Sequence, residues 1–157
     1  MARNTLFLLI AFVLSLGAGL LNASLTPPDD GTAKELEALA GSWRPVAAEN
    51  NGYKSSEREF MGIHWTRDAE GMWTMWRGGE AVVEWAVKTI DPTQSPKAID
   101  IQVIGGPYRG TVYLGIYELD GDVLRICFAL PDKPERPTDF SAAKGSLRAL
   151  AVFKKDP

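Results

Sequence analysis

Gly41-Ser42-Trp43 opens the first of about eight strand-like runs that continue to the C-terminus. From Trp43 onward apolar residues recur at every second position, which is the period of a strand with one buried face. Turn-forming residues separate the runs, most clearly at Gly78-Gly79 and Asp120-Gly121. No helix-length segment interrupts them, so parallel pairing is disfavoured. The sequence therefore predicts an all-β fold, most simply an eight-stranded antiparallel up-and-down barrel, with a two-sheet sandwich as the alternative.

A short helix is predicted before the first strand. Thr32–Ala40 has a good N-cap in Thr32, with Glu35 three residues later, and Gly41 ends it. The predicted strands lie near 42–49, 58–67, 70–77, 80–90, 98–104, 110–119, 122–130 and 146–155.

The first 23 residues resemble a secretory signal peptide, because Arg3 is followed by the apolar run Leu6–Leu21 and then by small residues. We therefore expect three parts: a signal at 1–23, a linker and short helix at 24–38, and a barrel domain at 39–157. An extracytoplasmic location, periplasmic or secreted, follows. Membrane contact is expected only through an uncleaved N-terminal segment.

Charge and composition limit the classes of partner and cofactor that we expect. The chain of 157 residues has 17 basic and 20 acidic residues, and removal of Arg3 with the signal leaves 16 − 20 = −4. The basic residues are scattered, which argues against nucleic acid. His64 and Cys127 are the only histidine and cysteine, so no metal-ligand or catalytic cluster is predicted, and no cofactor. Asp91 and Asp100 are interpreted as a turn initiator and a surface residue.

The Asp120-Gly121 hairpin allows two registers, and burial selects between them because a slip of one residue exchanges the faces. A three-residue turn would pair Glu118 with Asp122 and would produce a uniformly apolar face. We expect that register. Its lumen lining is then Val112, Leu114, Ile116, Leu124, Ile126 and Phe128, with Tyr113, Tyr117, Arg125 and Cys127 on the opposite face.

All five tryptophans lie between Trp43 and Trp85. Trp73 and Trp76 differ by three positions and should face opposite sides of one strand. The aromatic residues form either a packed core or a pocket for a flat or acyl ligand. The candidate ligand-binding residues are Trp73, Trp85, Leu114, Ile116, Ile126 and Phe128. Pro131–Gly145 is either a connection pinned by Phe140 or a lid over the mouth.

Several stretches together resemble a lipocalin-like domain family of unknown function, found mainly in planctomycete-type bacteria. They are Leu39–Trp43, Asp91-Pro92, Pro96–Asp100, Gly115–Leu119, Gly121 with Leu124, Cys127-Phe128, and Arg136–Thr138 with Phe140. The resemblance implies secretion and a lipocalin-type barrel, without an established reaction or ligand. The connection 50–56 is too short for the helical lid of intracellular fatty-acid-binding proteins, whose opening is similar.

In that family Trp43 would close one end of the barrel beneath a basic side chain from the last strand. The structural signature is then Gly41, Trp43 and Lys154, with Lys155 or Arg148 as alternatives to the lysine. Taken together, the sequence predicts a non-enzymatic protein that binds a small hydrophobic ligand inside the barrel. The alternative is a filled barrel that acts as an envelope protein-interaction module.

Overall fold

The computed structural model describes residues 30–131 and 135–157. The predicted signal at 1–23 and the linker up to residue 29 lie outside the described residues. The helices are α1 (Asp30–Leu39) and α2 (Glu57–Phe60). The strands are β1 (Gly41–Asn50), β2 (Tyr53–Lys54), β3 (Ile63–Arg67), β4 (Met72–Arg77), β5 (Glu80–Asp91), β6 (Lys97–Gly105), β7 (Val112–Asp120), β8 (Val123–Ala129) and β9 (Arg148–Lys155).

Eight of these strands form a closed barrel. β1 and β3 to β9 pair in chain order, and β9 returns to β1, from Trp43 opposite Lys155 to Asn50 opposite Ala149. Every pairing is antiparallel, and the short β2 only extends the end of β1. The predicted up-and-down barrel is confirmed, and the alternative sandwich does not form.

The segment before β3 differs from the prediction of a strand beginning at residue 58. Glu57–Phe60 is a single helical turn. The Glu59 carboxylate accepts hydrogen bonds from the backbone N–H of Ser56 at 2.7 Å and from its hydroxyl at 2.9 Å. This local pairing satisfies backbone and side chain without a strand partner.

The two ends of the barrel are unlike. At the end where β1 begins, α1 packs across the opening, and both Leu39 and Trp43 are fully buried. The Trp43 indole N–H donates to the Leu39 carbonyl oxygen at 2.9 Å, which joins helix to strand. We call this the closed end. The other end, where β1 finishes at Asn50, is the mouth.

The expected register of the β7–β8 hairpin is wrong. Asp120 pairs with Val123 across a two-residue turn, Tyr117 lies opposite Ile126, and Gly115 lies opposite Phe128. Tyr113, Gly115 and Tyr117 therefore face the interior. The outer face of β7 consists of Val112, Leu114, Ile116 and Glu118.

The interior selects this register by fit and by hydrogen bonding. A Cβ on Gly115 would lie 2.7 Å from Cε1 of Phe128, so only glycine leaves room for that ring. Tyr117 is 1 % exposed, and its hydroxyl donates to Glu35 of α1 at 2.9 Å. The outer face of β7 can also be apolar because it is partly shielded from water: Ile116, which lies on it, is only 1 % exposed.

Residues 135–146, which we call the strap, cover that outer face. Arg136 donates to both carboxylate oxygens of Asp100, at 2.6 and 3.1 Å, and to the Gly115 carbonyl at 2.6 Å. Pro137 and Ala142 are buried against the wall. The strap is thus pinned to the outer wall and is not a lid. Phe140 contributes a contact with Arg125, at 4.7 Å from its ring centre.

We expect Gly115→Ala to lower the free energy of unfolding by about 1–3 kcal/mol, because the new methyl group overpacks the Phe128 ring. The matched control is Gly105→Ala, whose Cβ would first meet the movable side chain of Glu84 and should cost less. Urea unfolding of both variants measures the difference. Equal losses would contradict the proposed fit at Gly115.

Candidate functional site

The centre of the barrel is filled by aromatic rings. The ring centre of Trp65 lies 4.5 Å from that of Trp85, 5.9 Å from that of Trp73 and 6.0 Å from that of Phe153. The structure brings together four of the predicted ligand-binding residues, Trp73, Trp85, Ile126 and Phe128, beside Ile99 and Ile101. The gap between these six side chains is too small for a water molecule.

Two predicted site residues do not belong to this group. Leu114 and Ile116 lie on the outer face of β7, because Glu118 lies opposite Arg125 and not opposite Asp122, a shift of three residues that exchanges the two faces. Their places in the interior are taken by Tyr113, Gly115 and Tyr117.

Above the aromatic centre a cavity of about 190 Å³ remains at the mouth. Trp85, Phe128 and Tyr113 form its aromatic surface, and Phe128 and Tyr113 lie 6.1 Å apart between ring centres. The remaining lining residues are Asn50, Ile101, Leu130 and Ala149. Such a volume lies below the ~300–1,000 Å³ of a drug-sized ligand site, so it fits only a small ring or the end of a chain.

Exposed large side chains lie on the connections at this end of the barrel. Met61 and Tyr108 are 75 % and 76 % exposed, and Tyr53 and Leu147 are also exposed. Tyr108 and Leu147 have φ of 68° and 53°, a backbone conformation that side chains other than glycine rarely adopt. The mouth therefore presents large apolar side chains on constrained loops.

The closed end contains the predicted Trp43 arrangement with a different lysine. Nζ of Lys155 lies 5.3 Å from the Trp43 ring centre and donates to the Ala38 carbonyl at 3.4 Å. Lys154 instead points outward, with Nζ 3.6 Å from the Asp122 carboxylate. Strand alternation explains the correction, since Phe153 faces the interior and Lys155 shares its side. Gly41 belongs to this group, because its φ is 119° and its Cβ position lies 3.0 Å from Lys155 Cε.

We expect Lys155→Met to lower the free energy of unfolding by about 0.5–2 kcal/mol, through loss of the cation–π contact with Trp43. Lys154→Met is the control and should change it by less than about 0.5 kcal/mol, because its ion pair is exposed. Chemical denaturation followed by tryptophan fluorescence gives both values. A larger loss in the Lys154 variant would mean that Lys154, and not Lys155, stabilises the closed end.

Arg67 is a buried cation near the closed end. It is 4 % exposed, and none of its guanidinium nitrogens has a hydrogen-bond partner among the described residues. Its guanidinium carbon lies 5.2 Å from the Trp73 ring centre. Burial lowers the pKa of Arg67 to about 10, and the nearby Tyr117 and Asp68 oppose that shift. The sequence does not predict that Arg67 is buried. Which face of β3 it occupies depends on where the helical turn ends and the strand begins.

A lowered pKa means that folding disfavours the charged form, so the penalty is fully present below about pH 10 and is relieved as the pH rises further. Arg67→Met should therefore raise the free energy of unfolding at neutral pH. The net gain should be about 1–2 kcal/mol, which already allows for the lost contact with Trp73. Arg44→Met, at an exposed position of β1, is the control. Destabilisation of the Arg67 variant would mean that its charge is compensated in the folded protein.

Trp76 lies on the outer wall, on the face opposite Trp73, as the spacing predicts. Its ring is parallel to that of His64 to within 8°, at 6.1 Å, and its indole N–H donates to the Thr66 hydroxyl at 2.8 Å. His64 thus lies on the outer wall beside Trp76. Tyr113, expected on the outer face, lines the mouth instead.

A further hollow lies on the outer wall between the β5–β6 turn and the strap. This outer groove has a volume of about 580 Å³. Its floor is Ala98, Ile116, Pro96 and Pro137, and its rim is Thr89, Asp91, Gln94, Ser95, Arg136 and Thr138. Asp91 initiates the turn after β5, as predicted, since it accepts from the backbone and hydroxyl of Thr93. Asp100 is on the outer face, but its side chain is only 14 % exposed because Arg136 covers it, and the sequence did not predict that pairing. The salt bridge joins stretches 36 residues apart, which no local pattern reveals.

A second hollow, of about 300 Å³, lies on the opposite part of the outer wall, between α2 and strands β1 and β9. Its apolar lining includes Val46, Phe60, Leu150 and Val152. Val46 sits at a break in the β1–β9 register and is 46 % exposed.

Within residues 30–131 and 135–157 no group of three or more metal-ligating side chains comes together. Cys127 is buried beneath the strap, with its thiol 3.8 Å from the Ser141 carbonyl oxygen, and burial raises its pKa to about 11. It is a packing residue there.

Comparison of the chain with protein-family models, with curated proteins and with solved structures finds no match. Over the described residues, no helix has both the length and the apolar character needed to cross a membrane.

Proposed function

We propose that this barrel is a non-enzymatic binding protein that takes a small hydrophobic ligand at its mouth. The observation that carries the proposal is the mouth cavity, which has Trp85, Phe128 and Tyr113 on its walls and exposed apolar side chains around its rim. Aromatic walls favour flat or aliphatic ligands through dispersion and apolar burial. The ligand is a single ring system or a short acyl end, because the aromatic centre prevents deeper entry.

The extracytoplasmic location and the lipocalin-like relationship belong to the same proposal. The apolar run at Leu6–Leu21 supports export. The closed barrel, with Trp43 beneath Lys155 at its sealed end, supports the lipocalin-like relationship.

The test of mouth binding uses 2-naphthol as the probe and tryptophan fluorescence as the readout. We expect saturable quenching, because the probe would contact Trp85. Ala149→Phe should abolish it by filling the cavity, since Ala149 faces the interior opposite Asn50 and Phe128. Ala47→Phe, on the outer wall of β1, is the control and should bind as the unmodified protein does.

Two outcomes would contradict mouth binding. One is the absence of saturable quenching. The other is an equal effect of the two alanine variants. Organic extraction of protein purified from its native source, followed by mass spectrometry, then identifies the bound molecule.

A second candidate function is a filled barrel that serves as an envelope protein-interaction module. It is favoured by the lack of space at the aromatic centre and by the apolar outer hollow around Val46. Here Ala47→Phe, which fills the hollow, should abolish capture of an envelope protein, whereas Ala149→Phe should not. The same two variants thus separate the two functions in opposite directions.

A further inference from the structure

The outer groove has the size and chemistry of a second binding site, independent of the mouth. At about 580 Å³ it falls within the ~300–1,000 Å³ range of small-molecule sites. An apolar floor with a rim of convergent polar groups is the usual composition of such sites. From the charges and free donors of this rim we propose that the groove binds a neutral saccharide chain of at least two rings.

The charges of the groove disfavour an anion. Arg136 is its only cation among the described lining residues, and Asp100 already holds that guanidinium with two hydrogen bonds. Asp91 adds a second carboxylate, and hydrogen bonds from Thr93 and Gln94 lower its pKa and keep it ionised. One cation against two carboxylates leaves the site with a net negative charge, which repels phosphate, sulfate or carboxylate groups.

The same hydrogen bonds disfavour a metal ion or an ammonium group. Asp91 accepts from the backbone and hydroxyl of Thr93 at 2.9 and 2.6 Å and from Gln94 at 3.0 Å. Asp100 accepts from Arg136 and also from the Thr89 hydroxyl at 2.8 Å. Both carboxylates are therefore satisfied within the protein, and a cation would have to displace these partners.

Neutral donors and acceptors remain for a ligand. The hydroxyl groups of Ser95 and Thr138 have no hydrogen-bond partner among the described residues, and both residues are exposed on the rim. Arg136 has five N–H donors, of which Nε and one on Nη2 are unused in its bonds to Asp100, Ile99 and Gly115. Hydroxyl groups of a sugar both donate and accept, so they match this mixture, and the C–H face of its ring can lie on Pro96 and Ile116.

The shape of the groove indicates more than one ring. Gln94, Ser95 and Pro96 line the outer groove and also a neighbouring hollow of about 270 Å³, which includes Lys97 and Phe140. The two spaces thus border the same short stretch of the β5–β6 turn. A disaccharide can occupy both, with its second ring beside Phe140.

The experiment titrates the ¹⁵N-labelled protein with cellobiose, lactose and diacetylchitobiose, and with glucose as the single-ring comparison. We expect saturable amide shifts at Gln94, Ser95 and Thr138, and tighter binding of at least one disaccharide than of glucose. Thr138→Val and Ser95→Ala should each weaken binding by about three- to tenfold, which corresponds to one lost hydrogen bond. Thr74→Val, on the outer wall of β4, is the matched control and should leave the affinity unchanged.

Three outcomes would overturn the proposal. The first is the absence of saturable shifts with every saccharide. The second is unchanged affinity in both rim variants. The third is saturation of the groove by sulfate or by a proline-rich peptide when saccharides fail. Both rim residues are exposed, so these variants should keep the fold, and the spectrum of each variant verifies this directly.

Discussion

The packing of aromatic rings in the barrel interior determines what the rest of the molecule can do. Trp65, Trp73, Trp85 and Phe153 occupy the space that an open barrel would offer to a ligand. Eight strands enclose an interior that side chains can just fill, and aromatic rings fill its centre. Within the described residues, the hollows therefore lie where this packing ends: at the shallow mouth and on the outer wall.

The outer wall has its own buried layer, which is uncommon for a surface that faces solvent in an antiparallel sheet. Ile116, Cys127 and Ala98 lie beneath the strap, and the Arg136–Asp100 ion pair fastens it there. Burial on both faces of β7 removes the simple distinction between an apolar inside and a polar outside. The strap also forms one side of the outer groove, so the same residues stabilise the wall and shape a site.

Strand alternation and turn residues were sufficient to predict the barrel, because both are local patterns. The short helix was predicted from its capping residues, although α1 begins at Asp30, before the expected cap Thr32. Strand alternation also predicted the opposite faces of Trp73 and Trp76. The β7–β8 register was predicted wrongly because a uniformly apolar inner face was expected, whereas Gly115 and Phe128 fit together across the two strands. Arg136 was given no role and Lys155 was only an alternative to Lys154, because their partners Asp100 and Trp43 are distant in sequence. Arg67 was missed because its burial depends on how the barrel interior packs, although Trp73 lies on the adjacent strand.

The cysteine beneath the strap can report on how often the strap lifts from the wall. Cys127 is the only cysteine of the chain and is fully buried beneath the strap. A thiol reagent can reach it only after the wall is uncovered, so its labelling rate measures how often the strap lifts. Comparison of that rate with the global unfolding rate separates local opening from loss of the barrel. No engineered label is needed, because burial has placed a single reactive atom where the two layers meet.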